Sequence, residues 1–211
     1  IDHGQSNRPY VHVMEVSGTD LISRQSNYRI YDSNAQSDYM KAAYDDDVGT
    51  MVVFHGHSGG EDVRATIMRL NSSGVYSSST YSTSIGSSLG WNNNWDHFVS
   101  AAVYDKSSGY MLAFYPQNRS GDKLYATTVL CNKNGQESFT VNDMIQLKTS
   151  DQTDLYYDHL TTEHGKAITA VYVPTIQKTI VFYPSGNDPR YIGGFIVSCD
   201  SSGNITTSSH F

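Results

Sequence analysis

The chain has 211 residues, with 14 Lys and Arg against 21 Asp and Glu, a formal net charge of −7, and 38% hydrophobic and 17% charged residues. No basic cluster offers a surface that could track a phosphate backbone, so nucleic acid is not an expected partner. No apolar run approaches the roughly 18 residues of a membrane helix, and the aliphatic content argues against a disordered chain.

Read in chain order, one rhythm returns. PYVHVMEVSG, closing at Gly18, reads as a strand ending in a glycine turn, and ISRQSNYRI as the strand that follows. The segment from Ala42, AAYDDDVGTMVVFHG, is two apolar runs around a short polar loop, the pattern of a β-hairpin. A further strand, VRATIMRLNSSG, closes at Gly74, and VYSSSTYST follows it. The same order recurs as AAVYDKSSGYMLAFYP from Ala101, LYATTVLCNKNG to Gly135 and ESFTVNDMI. It recurs once more as TAVYVPTIQKTIVFYP from Thr169, IGGFIVSCDSSG to Gly203 and NITTSSHF.

Fixed spacings tie the copies together. Tyr44, Tyr104 and Tyr172 each stand ten residues before Phe54, Phe114 and Phe182. Met14, Leu70, Cys131 and Cys199 stand four before the turn glycines, and the small residues Pro9, Ala65, Ala126 and Gly194 nine before. Gly-to-Gly spacings are 56, 61 and 68 residues. Self-similarity at such a period is the mark of a repeat architecture. The expectation is an all-β chain of about 3.5 antiparallel four-stranded repeats, propeller-like blades with longer loops than the usual ~40–50 residues.

The divisions expected are a half repeat of two strands over 1–35, then repeats over 36–97, 98–164 and 165–211, together one β-repeat domain. Extra length falls at Gly86–His97 and Lys148–Gly165, between the outer strand and the next hairpin, where insertions map to one face. The first residue is Ile1, and the first copy lacks its hairpin. That suggests a piece of a longer chain, or an oligomer whose neighbouring chains supply the missing strands.

The pattern A-x-x-Tyr-Asp, a turn with Gly, then an apolar run to Phe-Tyr is carried by Ala101–Asp105 with Gly109–Tyr115. Ala42–Asp45 with Gly49–Phe54 carries it more loosely. It resembles repeats in tail-fibre and other virion surface proteins of marine bacteriophages. The third copy keeps Tyr172 and Phe182-Tyr183 but has Val173 for Asp and no turn Gly. The resemblance implies a role in host attachment or appendage assembly. Propeller lectins are similar in rhythm, but their Trp in every blade is missing here, because Trp91 and Trp95 share one loop. The sialidase Asp-box is absent, and Trp95-Asp96 does not occupy a blade position of a WD repeat.

Several groups could carry chemistry, and each has a plainer reading. His55 and His57 with Glu61 and Asp62 could begin a metal site, yet His55 aligns with Tyr115 and Tyr183, ordinary members of the repeat. Asp45, Asp46 and Asp47 could hold calcium, but they align with turn residues in the other copies. Asp158-His159 and Glu163-His164 pair an acid with a His, but sequence neighbours on a strand point apart, and no G-x-S-x-G accompanies them. Cys131 and Cys199, in equivalent slots of neighbouring copies, are expected beyond the roughly 7 Å Cα reach of a disulfide and to act as buried hydrophobes. The sequons at Asn71, Asn118 and Asn204 are as many as chance supplies in so Asn- and Ser-rich a chain.

The loop GWNNNWDHF, Gly90–Phe98, would suit sugar binding, with indoles of Trp91 and Trp95 to stack on sugar faces and the Asn93 amide to bond hydroxyls; its plainer reading is that one or both Trp pack over the blade end. Tyr115 and Tyr183, next to core Phe114 and Phe182, face the other way and are further ligand candidates. The chain is accordingly expected to be a non-enzymatic structural or attachment module, extracellular or on a virion surface, oligomeric, and without cofactor or metal. Its expected partners are a host or cell-surface glycan or receptor, other copies of itself, and neighbouring appendage proteins. A glycan-binding propeller lectin is the alternative, and a propeller-type glycoside hydrolase the third reading.

Overall fold

Alternation decides how this chain packs. Successive strand residues point to opposite faces, and in the hairpins both sets are apolar. A strand with one wet face would alternate apolar with polar; these should be covered on both sides. The computed structural model describes residues 10–30, 40–56, 63–74, 76–77, 82–85, 99–117, 123–131, 138–142, 145–147, 168–184, 192–208 and 211. Among them the regular structure is all β, in four antiparallel sheets of two to five strands.

The first sheet is the pair β1 (Tyr10–Ser17) and β2 (Asp20–Arg29). The second runs β3 (Met40–Asp45), β4 (Thr50–Gly56), β5 (Val63–Leu70), with β6 (Tyr76–Ser77) and β7 (Ser82–Ser84) both pairing β5. The third repeats this with β8 (Ala101–Asp105), β9 (Tyr110–Gln117), β10 (Lys123–Cys131), and β11 (Phe139–Val141) and β12 (Ile145–Gln146) on β10. The fourth is β13 (Thr169–Val173), β14 (Lys178–Pro184), β15 (Ile192–Cys199) and β16 (Ile205–Thr207). Each hairpin is thus followed by the two further strands expected for it. Among the described residues the first copy contains β1 and β2.

The outer strand departs from expectation in the second and third sheets, where it comes in two pieces. In the third sheet Cys131 pairs Phe139 but Ala126 pairs Ile145, a slip of one residue. Asn142 still keeps the first register opposite Thr128: its N–H bonds the Thr128 carbonyl at 3.0 Å and its carbonyl accepts from the Thr127 hydroxyl at 2.7 Å. A one-residue slip between Asn142 and Ile145 is the mark of a β-bulge, common on outer strands.

The sheets are layered face to face. Val52, Phe54 and Ala65 on one face of the second sheet pack with Tyr104, Met111, Ala113, Tyr115, Val129 and Cys131 of the third. The other face of the third sheet, with Leu112, Phe114, Leu124 and Ala126, packs with Val181, Tyr183, Phe195, Val197 and Cys199 of the fourth. A smaller core joins Val11 and Val13 of β1 to Met51, Val53 and Met68. Each repeat therefore turns its Phe side to the following copy and its Tyr side to the preceding one. The small residue nine before the turn glycine stands across from the Phe: Ala65 opposite Phe54, Ala126 opposite Phe114, Gly194 opposite Phe182. A bulky ring fits on a flat sheet when its neighbour is small. Between layers, the first strands lie closest: β3 approaches β8, and β8 approaches β13.

One device at the outer edge went unread in the sequence. After the outer strand, the N–H of Ile85 bonds the Val63 carbonyl, that of Leu147 the Leu124 carbonyl, and that of Phe211 the Gly194 carbonyl. Ile85 and Leu147 close the cores that follow their sheets. Phe211 takes the same place on the last sheet, edge-on to Phe182 with ring centroids 6.4 Å apart, but stays largely exposed.

The hairpin turns explain the Asp and Gly of the motif. In the first, Asp45 Oδ1 accepts the N–H groups of Asp47 and Val48, and the Gly49 N–H bonds the Asp45 carbonyl at 2.9 Å. In the second, Asp105 Oδ1 accepts Ser107 and Ser108, and Gly109 bonds the Asp105 carbonyl at 2.9 Å. Both glycines sit at positive φ, 69° and 78°. The third turn has Val173, which has no such acceptor, and places Gln177 at φ 51° with backbone bonds stretched to 3.3 Å. A side chain in this region costs about 1–2 kcal/mol, against which glycine loses somewhat more entropy on folding. Gln177→Gly is expected to stabilise the chain by about 0.5–1 kcal/mol, seen as a higher urea midpoint. An unchanged or lower midpoint would show the turn to be unstrained.

Candidate functional site

The polar chemistry of the described residues gathers where one repeat's hairpin turn meets the next repeat. The carboxylate oxygens of Asp45, Asp46 and Asp47 come within 4.8 Å of one another. Three acids so close call for positive charge or donors. The third sheet supplies both: Lys106 Nζ lies 2.7 Å from Asp46 and 3.6 Å from Asp47, and the Tyr104 hydroxyl donates to Asp47 Oδ2 at 2.9 Å. Burial, and then the bonds to Asp47 and Asp45, push the Tyr104 phenol far above its usual range, so it remains a donor. The bond to Asp46 raises the exposed Lys106 ammonium. Asp45 itself is buried and spends Oδ1 on its own turn. The cluster thus works as a latch between copies, with Lys106 and Tyr104 of the third sheet reaching Asp46 and Asp47 of the second.

The equivalent place one copy later is less polar. Asp105 is fully buried, and Cys199 stands near it across the layers, its thiol donating to the Asp200 carbonyl at 3.6 Å. Cys131 occupies the matching position beside Asp45. Both cysteines are free and buried, as small hydrophobes of the core, and burial pushes their thiols up to about 12 for Cys131 and about 11 for Cys199. At pH 7 such thiols are protonated and poor nucleophiles.

A second latch joins the third and fourth sheets at their outer edge. The turn Asp200–Asn204 is ordered by Asp200, which accepts the N–H groups of Ser202 and Asn204 and the Asn204 amide. These donors, the Asn204 amide foremost, hold the Asp200 carboxyl below its ordinary range. The turn then docks on the third sheet: Thr128 Oγ1 donates to the Gly203 carbonyl at 2.9 Å, and Asn142 Nδ2 donates to Thr128 Oγ1 and the Ser202 carbonyl, each at 3.0 Å.

Comparison with protein families, with curated proteins and with solved structures finds no match.

The ligand candidates divide into two groups. Trp91, Asn93 and Trp95 lie outside the described residues, as do the insertions over 86–97 and 148–165, His57, Glu61, Asp62, and the acid–His pairs at 158–159 and 163–164. Tyr115 and Tyr183 do face away from Phe114 and Phe182, but that face is not open. The preceding sheet covers it, leaving the rings 2% and 1% exposed. Tyr115 stacks on Tyr125 at 6.3 Å and Tyr183 on Phe195 at 5.2 Å. In this packing both are core members and present no ring to a ligand. Their phenols are raised by burial, Tyr183 to about 12.

The remaining motifs have structural roles where they are described. His55 is buried beside Val53, with Nε2 2.9 Å from Thr66 Oγ1. Asn71 Oδ1 accepts the Ser73 N–H in the turn closed by Gly74. No helix of the described residues is long and apolar enough to cross a membrane.

Proposed function

We propose that the chain is a non-enzymatic attachment module of an extracellular or virion appendage, built as a propeller-like stack whose loops meet the partner. The observation that carries this reading is the use of both faces of the third sheet. Phe114 and Tyr115, neighbours in sequence, are each buried against a different sheet. Such a stack is a stiff frame that tolerates change in its loops. The convergence of β3, β8 and β13 supports a fan of blades around their first strands. The loop of Trp91, Asn93 and Trp95 is then the proposed glycan-contacting element, two indoles to stack on sugar and amides to bond hydroxyls.

The test is a glycan array probed with the chain and with Trp91→Ala and Trp95→Ala. The expected result is binding to cell-surface sugars that falls tenfold or more in each variant, roughly 1.4 kcal/mol or above, with the Tm unchanged. Binding that survives both variants would remove the loop from the proposal. Turnover of a glycoside by the purified chain would overturn the non-enzymatic reading.

A further inference from the structure

The junction between the third and fourth sheets holds two polar atoms that the packing around them leaves unmet. Asp105 and Thr179 are both 0% exposed, and among the described residues neither Asp105 Oδ2 nor Thr179 Oγ1 has a hydrogen-bond partner. Asp105 Oδ1 is already engaged, accepting the N–H groups of Ser107 and Ser108 and the Ser107 hydroxyl. The adjacent Lys106 turns the other way, to Asp46 and Asp47. Strand register places the two residues on facing surfaces. Asp105 pairs Tyr110 and shares a side with Val103 and Leu112, the side that packs on the fourth sheet. Thr179 pairs Tyr172 and Val197 and shares a side with Val181 and Tyr183, the side that packs on the third. β8, which ends at Asp105, approaches both β13 and β14. Burial first, and then the charge of Asp105, raise the thiol of Cys199, which stands two residues beyond Val197 on the same side.

The preceding junction fills the same slots differently. Met111 stands where Thr179 does, paired with Tyr104 as Thr179 is with Tyr172, and it is buried among apolar neighbours. Methionine reaches two atoms further from the strand than threonine and brings no donor. Threonine in this slot therefore shortens the apolar filling and adds a hydroxyl on the surface that faces Asp105. Buried polar atoms are satisfied by protein or by ordered water, and leaving one unmet is costly.

The structure assigns an ordered water to this junction, donating to Asp105 Oδ2 and accepting from the Thr179 hydroxyl. The Cys199 thiol donates to the Asp200 carbonyl at 3.6 Å, so its sulfur is left as a weak acceptor for the second hydrogen of the water. That makes about three bonds, the usual number for a buried water. A metal ion suits these groups poorly. Hard cations take about six to eight oxygens and zinc about four ligands, whereas two oxygens and one protonated thiol face the junction. The water joins the layers at a point where direct contact cannot satisfy both side chains. It does not depend on what the loops bind, so it stands or falls apart from the glycan reading.

The experiment is a crystal structure of the full chain at about 1.5 Å, with urea unfolding of Thr179→Val and Thr179→Ser. The expected result is a water peak within hydrogen-bond distance of both Asp105 Oδ2 and Thr179 Oγ1, retained in Thr179→Ser. Thr179→Val keeps the shape and favours the strand, so a purely apolar junction would gain from it. With the water in place, it is instead expected to lower the folding equilibrium constant about tenfold, and more than Thr179→Ser does. A direct bond between Asp105 and Thr179 with no water peak overturns the proposal. So does a Thr179→Val chain at least as stable as the parent. A metal at this position, seen by anomalous scattering or as a Tm that rises with added calcium or zinc, overturns it as well.

Discussion

Phe114→Ala is expected to cost about 3–5 kcal/mol of unfolding free energy, and Tyr115→Ala a comparable amount, although the two side chains point in opposite directions. In a sheet with one wet face, one of the pair would be nearly free to change. Here Phe114 sits among Leu112, Leu124 and Val181, while Tyr115 sits with Phe54, Ala113 and Cys131. Truncation leaves a cavity in a different core in each case, and neither core can collapse onto solvent. Phe182→Ala provides the comparison. Phe182 is partly buried and points away from the core shared with the third sheet, with Phe211 edge-on to it among the described residues, so about half that cost is expected. Urea denaturation followed by circular dichroism measures all three. A Tyr115→Ala cost near that of a surface substitution would contradict the layered packing.

Gly203→Ala is expected to destabilise by about 3 kcal/mol, roughly one for the backbone and one for each of two weakened hydrogen bonds. Gly203 has φ 82°, and a Cβ there would run into the Asn142 amide, lie 2.7 Å from the buried Tyr110 ring and 2.9 Å from Thr128 Oγ1. Relief would require withdrawing the Asn142 and Thr128 side chains that hold the turn. Gly74→Ala is the control, since its φ is 71° but nothing stands within 4 Å of the added carbon. It should cost about 1 kcal/mol, the backbone part alone. Equal losses at the two positions would mean that the outer latch between the third and fourth sheets contributes nothing.

How much of this could be read beforehand depended on the kind of information a residue carries. The hairpins were legible because their signal is local: Asp105 and Gly109 lie within five residues of Tyr104 and frame a turn whose bonds lie within that span. The slot of Cys131 and Cys199 was legible as buried because Met14 and Leu70 share its chemistry. That inference also hid something, for Met14 and Leu70 turned out exposed. Alternation tells which face a side chain takes, but not what stands opposite. Tyr115 and Tyr183 were assigned the correct face and the wrong surroundings for the same reason. The split outer strand had no sequence mark beyond Asn142, and the row of Ile85, Leu147 and Phe211 was missed because their spacing from the turn glycine varies. The proposed sugar-binding loop was visible only as composition: two Trp around three Asn.

The third and fourth sheets carry the same two surfaces, a Phe across from a small residue on one side and a Tyr on the other, and the second differs only in having His55 where that Tyr stands. A unit inserted between the second and third sheets would meet Phe54 with its own Tyr and Tyr115 with its own Phe, so neither junction would be new. Length is then a quantity that duplication or loss of one segment can change without redesigning any contact. What each added unit must keep is small: the Tyr, the Phe, the small residue across from it, and a turn that can reach the next layer. None of these lies in the insertions, so the number of layers and the sequence of the insertions can change independently.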